Sequence, residues 1–178
     1  MRRAPRIALA AVVVAGAGFA FLLWRADQPG GIDDAYTLAF GPADLGPVDF
    51  ERIERSSAPH DALACPPDFC AADPDVVTPT YDVPGARLRE IVAEVAAQDP
   101  RAELVYSGRW EESDRYVVRS RLMRFPDTLN VRILGAGPGR SQVALYSRSQ
   151  IGYSDMGVNR ARIDRWLDEI ARRVAAER

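Results

Sequence analysis

A chain of 178 residues with 23 basic and 25 acidic side chains carries a formal charge of −2, a balance that argues against general nucleic-acid binding. Every basic residue is arginine, an absence of lysine that points to codon usage rather than to a site. The one histidine, His60, leaves little general-base chemistry near neutral pH. Residues 7–24 form an uncharged, mostly apolar run behind Arg2, Arg3 and Arg6 and ahead of Arg25. At about 1.5 Å per residue the run gives roughly 27 Å of helix against a hydrocarbon core of about 30 Å, which reads as a transmembrane signal-anchor. The excess of arginine ahead of it predicts a single pass through the inner (cytoplasmic) membrane with the C-terminal domain in the periplasm. A cleaved signal ending at Ala15-Gly16-Ala17 is the competing reading, but it leaves residues 19–24 as an exposed apolar terminus.

Residues 26–75, rich in proline, glycine and aspartate, read as a tether and an irregular wrap. Residues 27–75 hold eleven acids against two arginines, whereas residues 102–178 hold ten acids against fourteen arginines. The simplest use of that asymmetry is an acidic wrap lying on a basic sheet, with a charged partner as the alternative. Cys65 and Cys70 lie beyond the expected anchor, in a compartment where disulfides persist, and are expected to bond to each other. A zinc site using both thiolates with His60, Asp61 and Asp68 is the weaker reading, because no second cysteine pair completes it. No cofactor and no metal are expected.

Regular structure is expected over residues 76–178. Residues 76–81 read as an edge strand, since Pro79 argues against a central position. Pro84 opens a helix carrying Leu88, Ile91, Val92 and Val95 and ending near Pro100. The period then changes to two, predicting strands over 103–110, 115–125, 128–134 and 141–149, with GAGPGR (135–140) as a hairpin loop. A last helix places Val158, Ile163, Trp166, Leu167, Ile170 and Val174 on one side and Arg162, Arg165, Glu169 and Arg173 on the other. The resulting expectation is an α+β fold: an antiparallel, four- to five-stranded curved sheet with two helices on one face, preceded by the transmembrane helix.

Alternation assigns Tyr116, Val118, Leu122, Leu129, Val131, Ile133, Val143 and Leu145 to the core face. The opposite face collects Arg119, Arg121, Arg132 and Arg148, with Tyr146 nearby. Such a set suits an anion, a lipid headgroup or an acidic segment, and the acidic wrap is the preferred occupant. The second candidate is GYSDMGVNR (152–160), with Tyr153, Asp155, Asn159 and Arg160. There Gly152 and Gly157 permit positive φ, and Ser154 or Asp155 caps the helix. Hydrogen bonding of Asp155, Asn159 and Arg160 with Arg148 is expected to lock strand to helix; the alternative is a carboxylate or phosphate held by the helix N-terminus with Arg148 or Arg160. No GxSxG elbow, HExxH or phosphate loop occurs, and no enzyme activity is expected.

Arg148, Ser149, Gly152, Tyr153, Ser154, Asp155, Gly157, Asn159, Arg160 and Arg162 stand in register with RS-x-SR-x-GYSD-x-G-x-NR-x-R, the block that marks the DUF1499 family. Arg119-Ser120, Phe125 and Asp127 follow the same pattern. The chain therefore resembles that family, a set of uncharacterised domains. It departs at Pro126, Thr128 and Asn130, where members often carry DD-x-EF, and at Asp68-Phe69-Cys70, where they often read PNC. The resemblance implies no activity. The expected role is a noncatalytic periplasmic domain that binds or helps assemble an envelope or membrane protein complex; the alternative is a binder of a small hydrophobic or anionic ligand between helices and sheet.

Overall fold

Period-two alternation along residues 113–149 builds the centre of a six-stranded sheet in the computed structural model, which describes residues 12–14, 16–21, 24–25, 28, 32–108 and 112–177. The strands are β1 (Asp61–Cys65), β2 (Val76–Val77), β3 (Ala102–Gly108), β4 (Ser113–Arg119), β5 (Pro126–Gly135) and β6 (Ser141–Ser149). Their order across the sheet is β2-β1-β6-β5-β4-β3. Short α1 (Asp33–Phe40) precedes them, α2 (Gly85–Ala97) follows β2, and α3 (Val158–Ala176) ends the chain.

The architecture is α+β, but the expected antiparallel sheet of four or five strands is corrected to a mixed sheet of six. β1 pairs in parallel with β2 and antiparallel with β6. It arises in the segment read as wrap, where Pro59 and Pro66 bracket a run of six residues too short to show a period. Asp75 helps join the two strands: its carboxylate accepts from Leu63 N at 2.8 Å, and its own N–H donates to Leu63 O at 2.8 Å. β4 stops at Arg119, so Leu122 lies in the following turn and is 63% exposed rather than in the core.

The other core positions expected from alternation do form the main core. Tyr116, Val118, Leu129, Val131, Ile133, Val143 and Leu145 pack against Leu88, Ile91, Val92 and Val95 of α2 and Ile163, Trp166 and Ile170 of α3. Both helices thus cover one face. The Trp166 ring meets Tyr116 edge-on at 5.5 Å, a favoured aromatic geometry.

The expected transmembrane helix is not found: among the described residues no helix is long and apolar enough to cross a membrane. Residues 12–14, 16–21 and 24–25 of the expected span are helical; Arg2, Arg3, Arg6 and the rest of the span lie outside the described residues. From Pro42 onward the wrap crosses the second sheet face. There Phe50 and Ile53 pack on Leu63, Cys65, Ala144 and Tyr146 in a separate, smaller core.

Candidate functional site

The wrap-covered face carries Arg115 and Arg119 of β4, Asn130 and Arg132 of β5, and Tyr146 and Arg148 of β6. Arg115 makes a two-pronged bond to Asp44, with Nε to Oδ1 and Nη2 to Oδ2 both at 2.8 Å. The hydrogen bond from Arg115 holds the Asp44 carboxyl below its ordinary range. Arg119 meets Asp33 at 3.0 Å, and Arg124 meets the same carboxylate at 2.9 Å. Arg148 Nη2 donates to Leu45 O at 2.7 Å. The acidic wrap is therefore the occupant of most of this arginine face.

The four arginines singled out from the sequence do not converge. Register sets Arg119 opposite Pro126 and Arg132 opposite Ser113. Six residues of β5 separate those partners, on the order of 20 Å of strand. Arg121 lies beyond β4 in the exposed turn. Arg132 lies in β5, half-buried, and among the described residues it has no acceptor.

The 152–160 turn is a hydrogen-bonded corner. Asp155, two residues ahead of the N-cap Gly157, accepts from Gly157 N at 2.9 Å and Asn159 N at 2.7 Å. Gly157 and Gly152 sit at φ of 80° and 100°, where a side chain is strained. The expected links to Arg148 do not form, because strand alternation turns Arg148 to the wrap face and Ser147 and Ser149 to the helix face. Asn159 instead donates to Ser149 Oγ and His60 O and accepts from Ser147 Oγ. Arg160 reaches Asp75 O and Asp164, and Tyr153 points to solvent.

Sequence reading missed the charge at the centre of this corner. Arg162, placed on the polar side of the last helix, is 3% exposed and pairs with Asp127, which is 4% exposed. Counting by two from Leu129 puts Asp127 on the core face. A carboxylate there needs a buried cation, and that was the available signal.

Cys65 and Cys70 are bonded, with Cα atoms 6.2 Å apart, so neither thiolate is available to a metal. Two clefts flank β4. One, of about 510 Å³ between α2 and the sheet, is lined by Leu104, Tyr116, Arg89 and Asp114. Arg89 and Asp114 are spent on each other, since Arg89 Nε and Nη2 bond the Asp114 carboxylate at 2.8 and 2.6 Å, and Glu90 and Glu112 add only negative charge to the lining. Burial, with the Asp114 charge added, pushes the Tyr116 hydroxyl up to about 12. The other cleft, of about 380 Å³ on the wrap face, is lined by Val48, Phe50, Tyr106, Ser113, Asn130 and Arg132, among others.

A family model described as a protein of unknown function, DUF1499, matches residues 56–170, well over half of the chain. The chain belongs to that family. No curated protein matches it.

Proposed function

We propose that this DUF1499 member is a noncatalytic binding domain, working beyond the cytoplasmic membrane in an oxidising compartment, that takes up an extended segment of an envelope protein partner along β3. The two sheet edges differ in a way that supports this. The β2 edge is two residues long and Pro79 follows one residue beyond it, which blocks further pairing. β3 is seven residues long, five of them consecutively exposed, and no described strand pairs with its outer side. Leu104, Val105 and Tyr106 are 53%, 37% and 38% exposed there. A long edge with apolar side chains and no charge at its centre is a template for strand addition, in which backbone bonds supply affinity and alternate side chains supply selectivity. The Cys65–Cys70 bond supports the compartment, since reducing cytosol opposes such bonds.

A photo-crosslinking residue at position 105 of the full chain in its native cells tests the reading. The expected result is one discrete adduct, absent when the probe stands at the more exposed Leu122 and lost when Leu104→Lys places a charge on the edge. Identical adducts from both positions, or none at 105, would remove the edge as the docking element.

A further inference from the structure

We infer that the wrap-face cleft binds a small monocarboxylate with an apolar body, its carboxylate held by the Arg132 guanidinium and the Asn130 amide. This inference does not rest on strand addition at β3. Asn130 is 5% exposed, lines the cleft, and its Nδ2 is buried without an acceptor. A buried amide donor with no acceptor is a standing loss that an incoming oxygen removes. Arg132 stands two residues further along the same face of β5, about 7 Å away. Its situation differs from that of the other strand arginines on this face: Arg115, Arg119 and Arg148 are each bound to a carboxylate or carbonyl of the wrap, whereas Arg132 has no acceptor among the described residues. The two donors therefore lie together in one cleft, and a guanidinium fork suits the two oxygens of a carboxylate.

The walls say what the rest of the ligand is. Val48 and Phe50 of the wrap and Tyr106 of β3 line the cleft. The Tyr106 ring is fixed beneath the Arg115 guanidinium at 4.7 Å, whose charge is already engaged by Asp44. A volume of about 380 Å³ lies at the lower end of the roughly 300–1,000 Å³ typical of small-molecule sites. Asp49 and Glu51 line an adjoining depression together with Arg132. One unpaired cation beside two carboxylates favours a single negative charge and opposes a dianion such as phosphate.

Calorimetric titration of the full chain with 3-phenylpropionate tests this, with neutral 3-phenylpropionamide and inorganic phosphate as comparison ligands. The expected result is saturable one-to-one binding, at least about tenfold tighter than for either comparison ligand. Arg132→Gln should weaken it about tenfold or more, and Arg121→Gln, on the exposed turn, should leave it unchanged. Asn130→Leu removes the unsatisfied donor at similar volume, so it should raise Tm while weakening binding. The inference is overturned if 3-phenylpropionate does not saturate, if the amide or phosphate binds as well, or if Arg132→Gln binds like the parent. A fall in Tm for Asn130→Leu would equally overturn it, by showing that the amide already has a structural partner.

Discussion

The two faces of one sheet are closed in different ways. On the helix face, α2 and α3 lay apolar stripes on apolar strand positions, and the buried charges described there, Asp114, Asp127 and Arg162, are paired. On the wrap face, a chain with no regular period is held by side chains that find partners far along the sequence. Arg115 and Asp44 are 71 residues apart, and Arg124 and Asp33 are 91 apart. Burying apolar area is non-directional and forgiving of register, whereas a bidentate charge pair fixes where the chain lies at a smaller net gain. The helix face should therefore carry most of the stability, and the wrap face should set the position of the cleft.

The largest effect is expected where a charge is buried on the helix face. Asp127→Ala leaves Arg162 unpaired with no solvent access and should cost about 3–5 kcal/mol in urea unfolding. The double variant Asp127→Leu with Arg162→Met should recover most of that loss, because the cost comes from the orphaned charge. If the single variant costs no more than an exposed pair, the contrast between faces is wrong at its strongest point. Next comes the Cys65–Cys70 bond under the wrap. With a sequence separation of 5, chain-entropy reasoning gives about 2 kcal/mol. Removing both cysteines as alanines should lower stability by that amount, and alkylation of unreduced protein should find no free thiol.

Legibility in the sequence follows the same division. The helix face could be read because Leu129, Val131 and Ile133, or Leu88, Ile91 and Val95, recur at the period of their element. β1 could not, since a five-residue strand closed in by two prolines carries no period, and its place in the sheet comes from pairing with β6, where Leu63 stands opposite Tyr146, 83 residues away in sequence. The charge imbalance between residues 27–75 and 102–178 did foretell that wrap and sheet attract, but not which carboxylate meets which arginine. That choice depends on strand register, which the sequence fixes only through the packed fold. The candidate site was legible in part: Arg132 stood out as an arginine of the outer face. Asn130 and Tyr106 did not, because their significance lies in an unsatisfied amide and a ring held by a neighbour.

At the corner joining strand to helix, Asp155→Ala should cost about 1–2 kcal/mol, since two backbone N–H groups lose their acceptor. Asp155→Asn should recover part of it. Thermal unfolding of the three proteins measures this, and unchanged Tm in the alanine variant would leave the corner without its proposed structural role.

The smallest effect, and the one that best isolates the wrap, concerns Asp44. Its carboxyl is held below the ordinary range by the hydrogen bond from Arg115, partly offset by burial and reinforced by the Gly46 N–H. A carboxyl with a depressed folded pKa binds fewer protons when folded than when unfolded, so it stabilises the fold fully above the unfolded value, about 4. That contribution is lost as pH falls through the folded value. Both side chains are partly shielded, so the pair should be worth about 1 kcal/mol. Asp44→Asn should therefore destabilise at pH 7 by roughly that amount and have a shrinking effect below about pH 4. Hydrogen exchange should locate the change at residues 42–50, while the amides of β5 and α3 stay protected. Equal deprotection of both regions would mean that the wrap and the helix face unfold as one unit, and that the two ways of closing the sheet are not energetically separate.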